Sequence, residues 1–313
     1  MDISVIVCTH NPRTEYLRRV LDGLAGQTLP KDRWELLLVD NASARNVADT
    51  IDLSWHARAI HVREDTLGLT AARLRGIAET HGALCVFVDD DSVLSPDYLA
   101  AACALQAQYP WVAAFGAGSL EPEFEIEPPR EIRPHLRRLA LRTVAVARWS
   151  NNARDDESVP WGAGLCVRRP VADAYRRVVE KLAVAAVLDR RGRHLFAGGD
   201  DAFSWVAVSL GHGFGVFPEL RVTHLIRAER LRRDYLMRLI RDHALSHSVL
   251  QFMIAGAQPQ RLDAFKLGRL LLHGLRRGAF SMRCQWAAAI GESRAARIII
   301  EERLSPLDPT VPL

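Results

Sequence analysis

Lysine is nearly absent from this chain. Lys31, Lys181 and Lys266 are the only three, and arginine supplies the rest of the 41 basic residues. With so many alanines, that bias points to a GC-rich coding sequence more than to a function. Cysteine is scarce and unpaired: Cys8, Cys85, Cys103, Cys166 and Cys284 are odd in number, and none falls in a CxxC spacing. A disulfide framework is thereby excluded, and a reduced, cytoplasmic setting is expected. With 313 residues, 49% of them hydrophobic, a large core needs no such staples. Long apolar runs are also missing. Met1 to Val7 has no basic leader and is too short for a signal peptide. Leu182 to Leu188 falls far below the roughly 18 residues of a membrane span. The expectation is a chain that neither crosses a membrane nor carries a secretion signal. No GxxxxGK[ST] or GxGxxG follows a strand-like run, so P-loop and dinucleotide-binding readings fail. No GxSxG is present. His243 and His247 stand four apart without an HExxH, so a zinc-protease site is rejected.

What is present is unevenly charged. The net charge is +4, yet Arg221 to Arg303 holds 16 basic against 7 acidic residues, a local +9 that leaves −5 elsewhere. A basic tail of that kind suits anionic lipid, an anionic acceptor, donor phosphates or simply a solvated helical surface. A nucleic-acid partner is not expected.

Short β-branched runs alternate with helical spacings. Ser4 to Cys8, Trp34 to Val39, Ala59 to Val62 and Leu84 to Val88 read as strands. Glu15 to Ala25, Leu69 to Glu79 and Pro96 to Gln108 read as helices. This order implies an α/β fold with mostly parallel strands covered on both faces. Ligands in such sheets bind beyond the carboxyl ends of the strands. Thr9-His10-Asn11, Asp40-Asn41 and Asp89-Asp90-Asp91 stand at those ends, so three loops converge on one rim. Leu120 to Pro134 is expected as an irregular loop, Val159 to Val167 as a strand, Val171 to Leu188 and Ala202 to Leu210 as helices, and Val216 to His224 as the last strand. From Leu231 the pattern is helical, interrupted at Gly256 to Pro259. The expected boundary near residue 226 separates a domain of residues 1–226 from a helical region of residues 227–313.

Three successive carboxylates repel one another, and a divalent cation is the natural remedy. Oxygen ligands suit Mg²⁺ or Mn²⁺, which share their sphere with substrate phosphates. A helix cap at Asp91 or Ser92 is the plainer alternative. Asp40 could accept from a base imide or a ribose hydroxyl, or close an Asx-turn. Arg73 could reach a phosphate or be a surface residue. In Gly198-Gly199-Asp200-Asp201, one carboxylate could serve as a general base while the other caps a helix. His224 could complete a metal sphere with Asp91, or be structural.

As a set, these segments resemble glycosyltransferase family 2, whose members adopt the GT-A fold. Val5-Ile6-Val7-Cys8-Thr9-His10-Asn11 is similar to the family's first strand and nucleotide-contacting loop. Leu38-Val39-Asp40-Asn41 resembles the second-strand motif whose aspartate contacts the base. Gly68-Leu69-Thr70-Ala71-Ala72-Arg73 resembles the Gly-Leu-x-x-Ala-Arg segment. Val86-Phe87-Val88-Asp89-Asp90-Asp91 resembles the strand ending in the DxD motif. The resemblance implies that Asp89 contacts ribose and that Asp91 holds the metal, and Asp90 is counted with the donor-binding residues. Trp161-Gly162-Ala163-Gly164 resembles the small-residue segment beside the donor sugar. Gly199-Asp200-Asp201 resembles Gly-Glu-Asp, which carries the base, and Thr223-His224-Leu225-Ile226 resembles the late metal-binding histidine. The likeness covers about residues 3 to 226. It departs at Leu74, where Asn is usual, and at Asp200, where Glu is usual. No QxxRW follows, which argues against a processive polysaccharide synthase.

The function implied is an inverting, metal-assisted glycosyltransferase with a UDP- or dTDP-type sugar donor. Asp201, with Asp200 as the alternative, takes the acceptor's proton. The acceptor stays open among glycan, lipid, peptide and small natural product. A nucleotidyltransferase is the enzymatic rival, but Thr9 to Arg13 lacks the glycines its loop would need. A non-catalytic nucleotide-sugar binder is the other. The helical tail could cover the acceptor site, form a homodimer interface or lie on the inner face of a membrane. For the last role the apolar, basic-flanked stretch from Phe265 to Met282 is the candidate, against ordinary core packing.

Overall fold

A computed structural model of the chain describes residues 1–152, 154–181, 199–259, 268 and 278–306. Four of the apolar runs form the strands β1 (Ile3–Thr9), β2 (Trp34–Asn41), β3 (Ala59–Glu64) and β4 (Leu84–Asp89). They pair in parallel, with Thr9 opposite Asp40 and Cys8 opposite Asp89. That register places the polar ends of β1, β2 and β4 along one edge of the sheet.

The helices between them are α1 (Thr14–Ala25) and α2 (Leu69–Glu79), and α3 (Tyr98–Gln108) follows the short strand β5 (Ser92–Leu94). Beyond them come β6 (Val112–Phe124), β7 (Arg142–Thr143), β8 (Arg148–Ser150), β9 (Leu165–Arg168), α4 (Arg169–Lys181), α5 (Gly199–Ser209) and β10 (Gly213–Ile226). The sheet runs β3-β2-β1-β4-β9-β6-β10-β5, with β7 on β6 and β8 on β10. Its long pairings are parallel; those of β5, β7, β8 and β9 are short and antiparallel.

Side chains alternate across β1, and both faces are apolar. Ile3, Val5 and Val7 enter one core with Leu17, Val20, Leu21 and Leu24 of α1. Ile6 and Cys8 enter the other with Ala72 and Ile77 of α2 and Val171 of α4. Each fully buried Leu, Ile or Val contributes about 1.5–3 kcal/mol, so the strand ends are held by a core on either side.

Three readings need correction. The strand expected over Val159 to Val167 is confined to β9 (Leu165–Arg168), because residues 162–164 turn and residues 159–161 pair with no strand among the described residues. The segment Leu120 to Pro134 is not all irregular, because β6 continues to Phe124 alongside β10, with Ile226 opposite Phe124. A 3-10 turn over Arg133–Leu139 follows. The aspartates at 200 and 201 lie inside the first turn of α5 and do not precede the helix. The segment 182–188, Gly198 and most of the 265–282 stretch lie outside the described residues.

Past Ile226, a 3-10 turn (Ala228–Leu231) leads into α6 (Arg233–Ala255), which packs on α7 (Ala279–Glu301). Leu236, Leu239 and Ile240 meet Cys284 and Ala287, while Leu245, Val249 and Phe252 meet Ala295 and Ile299. The contacts advance together along both helices, so the two run side by side in one direction. Ile132, Leu139 and Ile226 share the first of these clusters and anchor the pair to the sheet domain. No described helix is long and apolar enough to cross a membrane.

The two helices meet closely at Gly291, where an added Cβ would lie 2.2 Å from the Arg241 carbonyl oxygen. Backbone cannot yield as a flexible side chain can. Gly291→Val is therefore expected to cost about 1–3 kcal/mol of stability, read as a lower unfolding midpoint. An unchanged midpoint would show that the pair does not pack at this point.

Candidate active site

Each loop at the sheet edge is tied to its neighbour. Asn11 takes a left-handed backbone conformation (φ 47°), which asparagine tolerates. Its amide N–H donates to the Ser43 hydroxyl at 2.9 Å, and its side-chain oxygen accepts from the Ala44 N–H at 2.9 Å. The His10 Nδ1 lies 2.6 Å from the Asn41 carbonyl oxygen. Asn41 in turn accepts from the Gly68 N–H at 2.8 Å, joining the end of β2 to the start of α2. Asn41 was missed as a positioning residue, because its partners lie 23 to 27 residues away.

Asp40 is buried and accepts from the N–H groups of Ser43 (3.0 Å) and Val47 (3.2 Å) and from Arg63 (3.1 Å). Burial raises its pKa, but these bonds and the Arg63 charge outweigh that and hold it below the ordinary carboxylate value. Asp40 thus closes the loop that follows β2, its Oδ2 accepting two of these bonds and its Oδ1 the third.

The carboxylates after β4 diverge. Asp90 accepts from the Thr9 hydroxyl at 2.5 Å, and burial together with the adjacent Asp91 raises its pKa. Asp91 is buried, and desolvation works against its charge; Arg230 and His224 overcome this and hold it ionised. The Arg230 Nη2 donates to Asp91 Oδ2 at 2.6 Å, and its Nη1 lies 2.8 Å from His224 Nε2. The His224 Nε2 is 3.6 Å from Asp91 Oδ1. The structure thus brings the two expected metal ligands together, with a guanidinium across both. Among the described residues, no three His, Cys, Asp or Glu side chains gather as a metal cluster.

At the other end of the cleft Arg73 is buried against the face of Phe87, its Cζ 5.6 Å from the ring centre. It pairs with Asp200 at 2.5 Å. The second oxygen of Asp200 accepts from the Gly162 N–H at 2.8 Å. A side chain at Gly162 would strike both partners, since a Cβ would lie 2.5 Å from Arg73 Nη2 and 2.8 Å from Asp200 Oδ2. Ala163 beside it is buried. Desolvation lowers the Arg73 pKa, but Asp200, Asp89, Tyr175 and Cys8 more than offset this and hold the guanidinium charged. One buried cation is thereby coupled to carboxylates at both ends of the cleft. Arg73 is not the surface arginine of the plainer reading.

Asp201, next to this pinned carboxylate, is pushed up to about 7, first by burial and then by the charges of Asp200 and Asp156. Arg142 pulls the other way. Arg142 stacks on Trp161 with its Cζ 3.7 Å from the ring centre, donates to the Val159 carbonyl, and is itself brought down to about 10 by burial beside Arg137 and Arg148. Sequence reasoning missed both Arg142 and Arg230, which look like any other arginine in a run of arginines.

Residues 4–148 match the glycosyl transferase family 2 domain. The chain carries a family 2 glycosyltransferase domain. It is similar to glycosyltransferase AglE of Haloferax volcanii, with 32% identity over 92 residues, 28% of this chain and 30% of that protein. The matched stretch thus spans under a third of that relative. The fold as a whole is similar to TarS 1–349 of S. aureus, solved with UDP-GlcNAc (TM-score 0.52, 12% identity, 96% of this chain and 92% of that one). It is also similar to mannosyltransferase PcManGT of Pyrobaculum calidifontis, solved with GDP-Man and Mn²⁺ (TM-score 0.53, 18% identity, 95% and 86%). These two likenesses establish the GT-A fold, with a helical region after the sheet domain.

Within the family 2 domain and the segments that follow it, the raised pKa of Asp201 has a consequence for stability. The folded carboxyl titrates near 7 against an ordinary 3.8, so the fold binds this proton more tightly than the unfolded chain does. Its contribution favours folding in acid and is lost as the pH climbs through about 7. Asp201→Asn removes the titration. Its melting midpoint is expected to match the wild type near pH 4 and to rise above it by a margin that levels off above about pH 7. A margin independent of pH would refute the raised pKa.

Proposed function

We propose that this protein is an inverting glycosyltransferase that moves one sugar from a nucleoside-diphosphate donor, of the UDP or dTDP type, to an acceptor nucleophile. The observation that carries this reading is the pair at the start of α5. Asp200 is fixed by Arg73 and by the Gly162 N–H, and Asp201 beside it is tuned close to neutrality. A carboxylate with a pKa near the working pH is well matched to take a proton. The family 2 domain and the AglE relative support sugar transfer as the reaction class.

In this mechanism Asp201 accepts the proton from the acceptor's hydroxyl or amine. The freed lone pair attacks the anomeric carbon from the face opposite the diphosphate, and the carbon–oxygen bond to the diphosphate breaks. One displacement of this kind inverts the centre. Thr9, His10, Asn11, Asp40, Asp89 and Asp90 line the nucleotide end; Gly162 and Ala163 lie by the sugar. The UDP-GlcNAc bound by TarS supports a pyrimidine nucleotide, and the GDP-Man bound by PcManGT is the rival base.

Asp91 and His224 fit a divalent cation. Their 3.6 Å separation is one that two ligands about 2.1 Å from a common ion can span. Mn²⁺ or Mg²⁺ would be held there, the former supported by PcManGT, and would supply positive charge to the departing diphosphate. Arg142, whose charge acts on Asp201, also lines a cavity of about 530 Å³ with Arg137, Leu141, Arg148 and Glu157, which this reading assigns to the acceptor. The transferase domain is taken as residues 1–226 and the helical region as 227–313. A cytoplasmic setting belongs to this reading and is supported by five cysteines that form no disulfide.

Asp201→Asn is expected to lower transfer by about 10²- to 10⁴-fold while leaving donor binding intact, measured as thermal protection by UDP-, dTDP- and GDP-sugars. Asp200→Asn should instead weaken that protection, because it unpins Arg73. Retained turnover in Asp201→Asn with intact donor binding would move the base to Asp200. Protection by GDP-sugars alone would overturn the pyrimidine assignment.

A further inference from the structure

The cation position between Asp91 and His224 is spanned by an arginine. Both arms of the Arg230 fork are used, one on Asp91 Oδ2 at 2.6 Å and one toward His224 Nε2 at 2.8 Å. The Nε2 that Arg230 approaches is the same nitrogen that faces Asp91, and Nδ1 on the far side of the ring is buried with no hydrogen-bond partner among the described residues. A guanidinium stays charged. Here desolvation works against that charge, and Asp91 overcomes it.

Arg230 is also held in place. It sits on the turn Ala228–Leu231, whose first N–H donates to Glu125 Oε2 at 2.7 Å. Arg13 donates to Glu125 at 2.7 Å and to Glu229 at 3.2 Å, bridging β6 to the turn. Leu231 closes the turn by entering the core shared with α6 and α7. The neighbouring Arg227 lies over the Tyr16 ring, 5.5 Å from its centre, and adds positive charge toward Asp90 and Asp91.

A divalent ion about 2 Å from both ligands would lie in contact with this guanidinium, and two like charges so close in a cleft of low dielectric repel strongly. We propose that Arg230 and a divalent cation compete for a single seat formed by Asp91 and His224, so that metal binds only when the 228–231 turn withdraws the guanidinium. Without metal, Arg230 fills the seat and neutralises the Asp91 charge. With metal, the turn and the helical region behind it are released from the cleft. This inference rests on the proposed role of Asp91 and His224 as metal ligands.

The test uses the full chain without nucleotide. Mn²⁺ binding is read from the loss of the free-ion electron paramagnetic resonance signal and from titration calorimetry. Arg230→Gln is expected to bind Mn²⁺ about 10- to 100-fold more tightly than the wild type, the scale on which groups bonded to metal ligands shift affinity. Its melting midpoint, lowered by the unpaired Asp91, should rise more on adding Mn²⁺ than that of the wild type. Glu125→Ala leaves the guanidinium in place but loosens the turn, and it too should bind Mn²⁺ more tightly; it decides the matter should Arg230→Gln fail to fold. Equal Mn²⁺ affinity in the wild type and the variants would overturn the competition while leaving the metal ligands standing. Absence of binding in all three would overturn the competition and the metal ligands together.

Discussion

Carboxylates crowded at the end of a strand cannot all stay ionised in a half-buried cleft unless positive charge is placed among them. That constraint organises the rest of the structure. Asp91 is held ionised by Arg230 and His224, while Asp90 next to it is raised and accepts from the Thr9 hydroxyl. The same division recurs on α5, where Asp200 is locked to Arg73 and Asp201 is pushed toward neutrality. In both pairs one carboxylate is committed to charge and its neighbour is left able to take a proton. Neighbouring acids separated in this way are the usual means by which one site keeps an anion and a base side by side. Arg73, coupled to Asp200 and to Asp89 at once, links the start of α5 to the end of β4.

Backbone geometry makes the arrangement possible. The parallel register that sets Thr9 opposite Asp40 and Cys8 opposite Asp89 delivers the three loops to one edge. The bonds from Asn41 to the 64–68 backbone and from Asn11 to the 43–44 turn then fix their relative positions. Burial of Arg73 beneath Phe87 and Tyr175 is the costly step, and it is tolerated because Asp200 neutralises the charge directly. Gly162 leaves the room for that contact.

Much of this was legible in the residue order. Strands β1 to β4 could be read because each is a short apolar run ending in a polar cluster. Their parallel direction followed from the alternation with helices, while the register came only with the structure. The short strands β5, β7 and β8 could not be read: two or three residues carry no periodicity, and they exist only because β6 and β10 offer edges to pair with. The extension of β6 through Pro122 was hidden for a similar reason, since its partner β10 is about a hundred residues away. Among site residues, Asp40, Arg73, Asp91, Asp201 and His224 stood out because a carboxylate, a histidine or an arginine at a strand end or helix start is chemically conspicuous. Arg142 and Arg230 did not. Their meaning comes from what they touch, Trp161 and the Asp91–His224 pair, and neither contact leaves a trace in local spacing.

That blind spot bears on the helical region. Counted as charge, residues 221–303 are a basic surface with a local excess of nine. In three dimensions one of these arginines, Arg230, is largely withdrawn from solvent, its side chain 22% exposed. Arg230 reaches Asp91 from a turn that is tied to β6 through Glu125 and Arg13 and rooted by Leu231 in the core of α6 and α7. A displacement of those helices therefore has to be transmitted to the guanidinium, and a change at Asp91 has to be felt by the turn, because the intervening contacts are bonded and packed with little slack. The region past Ile226 is in this sense mechanically continuous with the carboxylate end of the cleft.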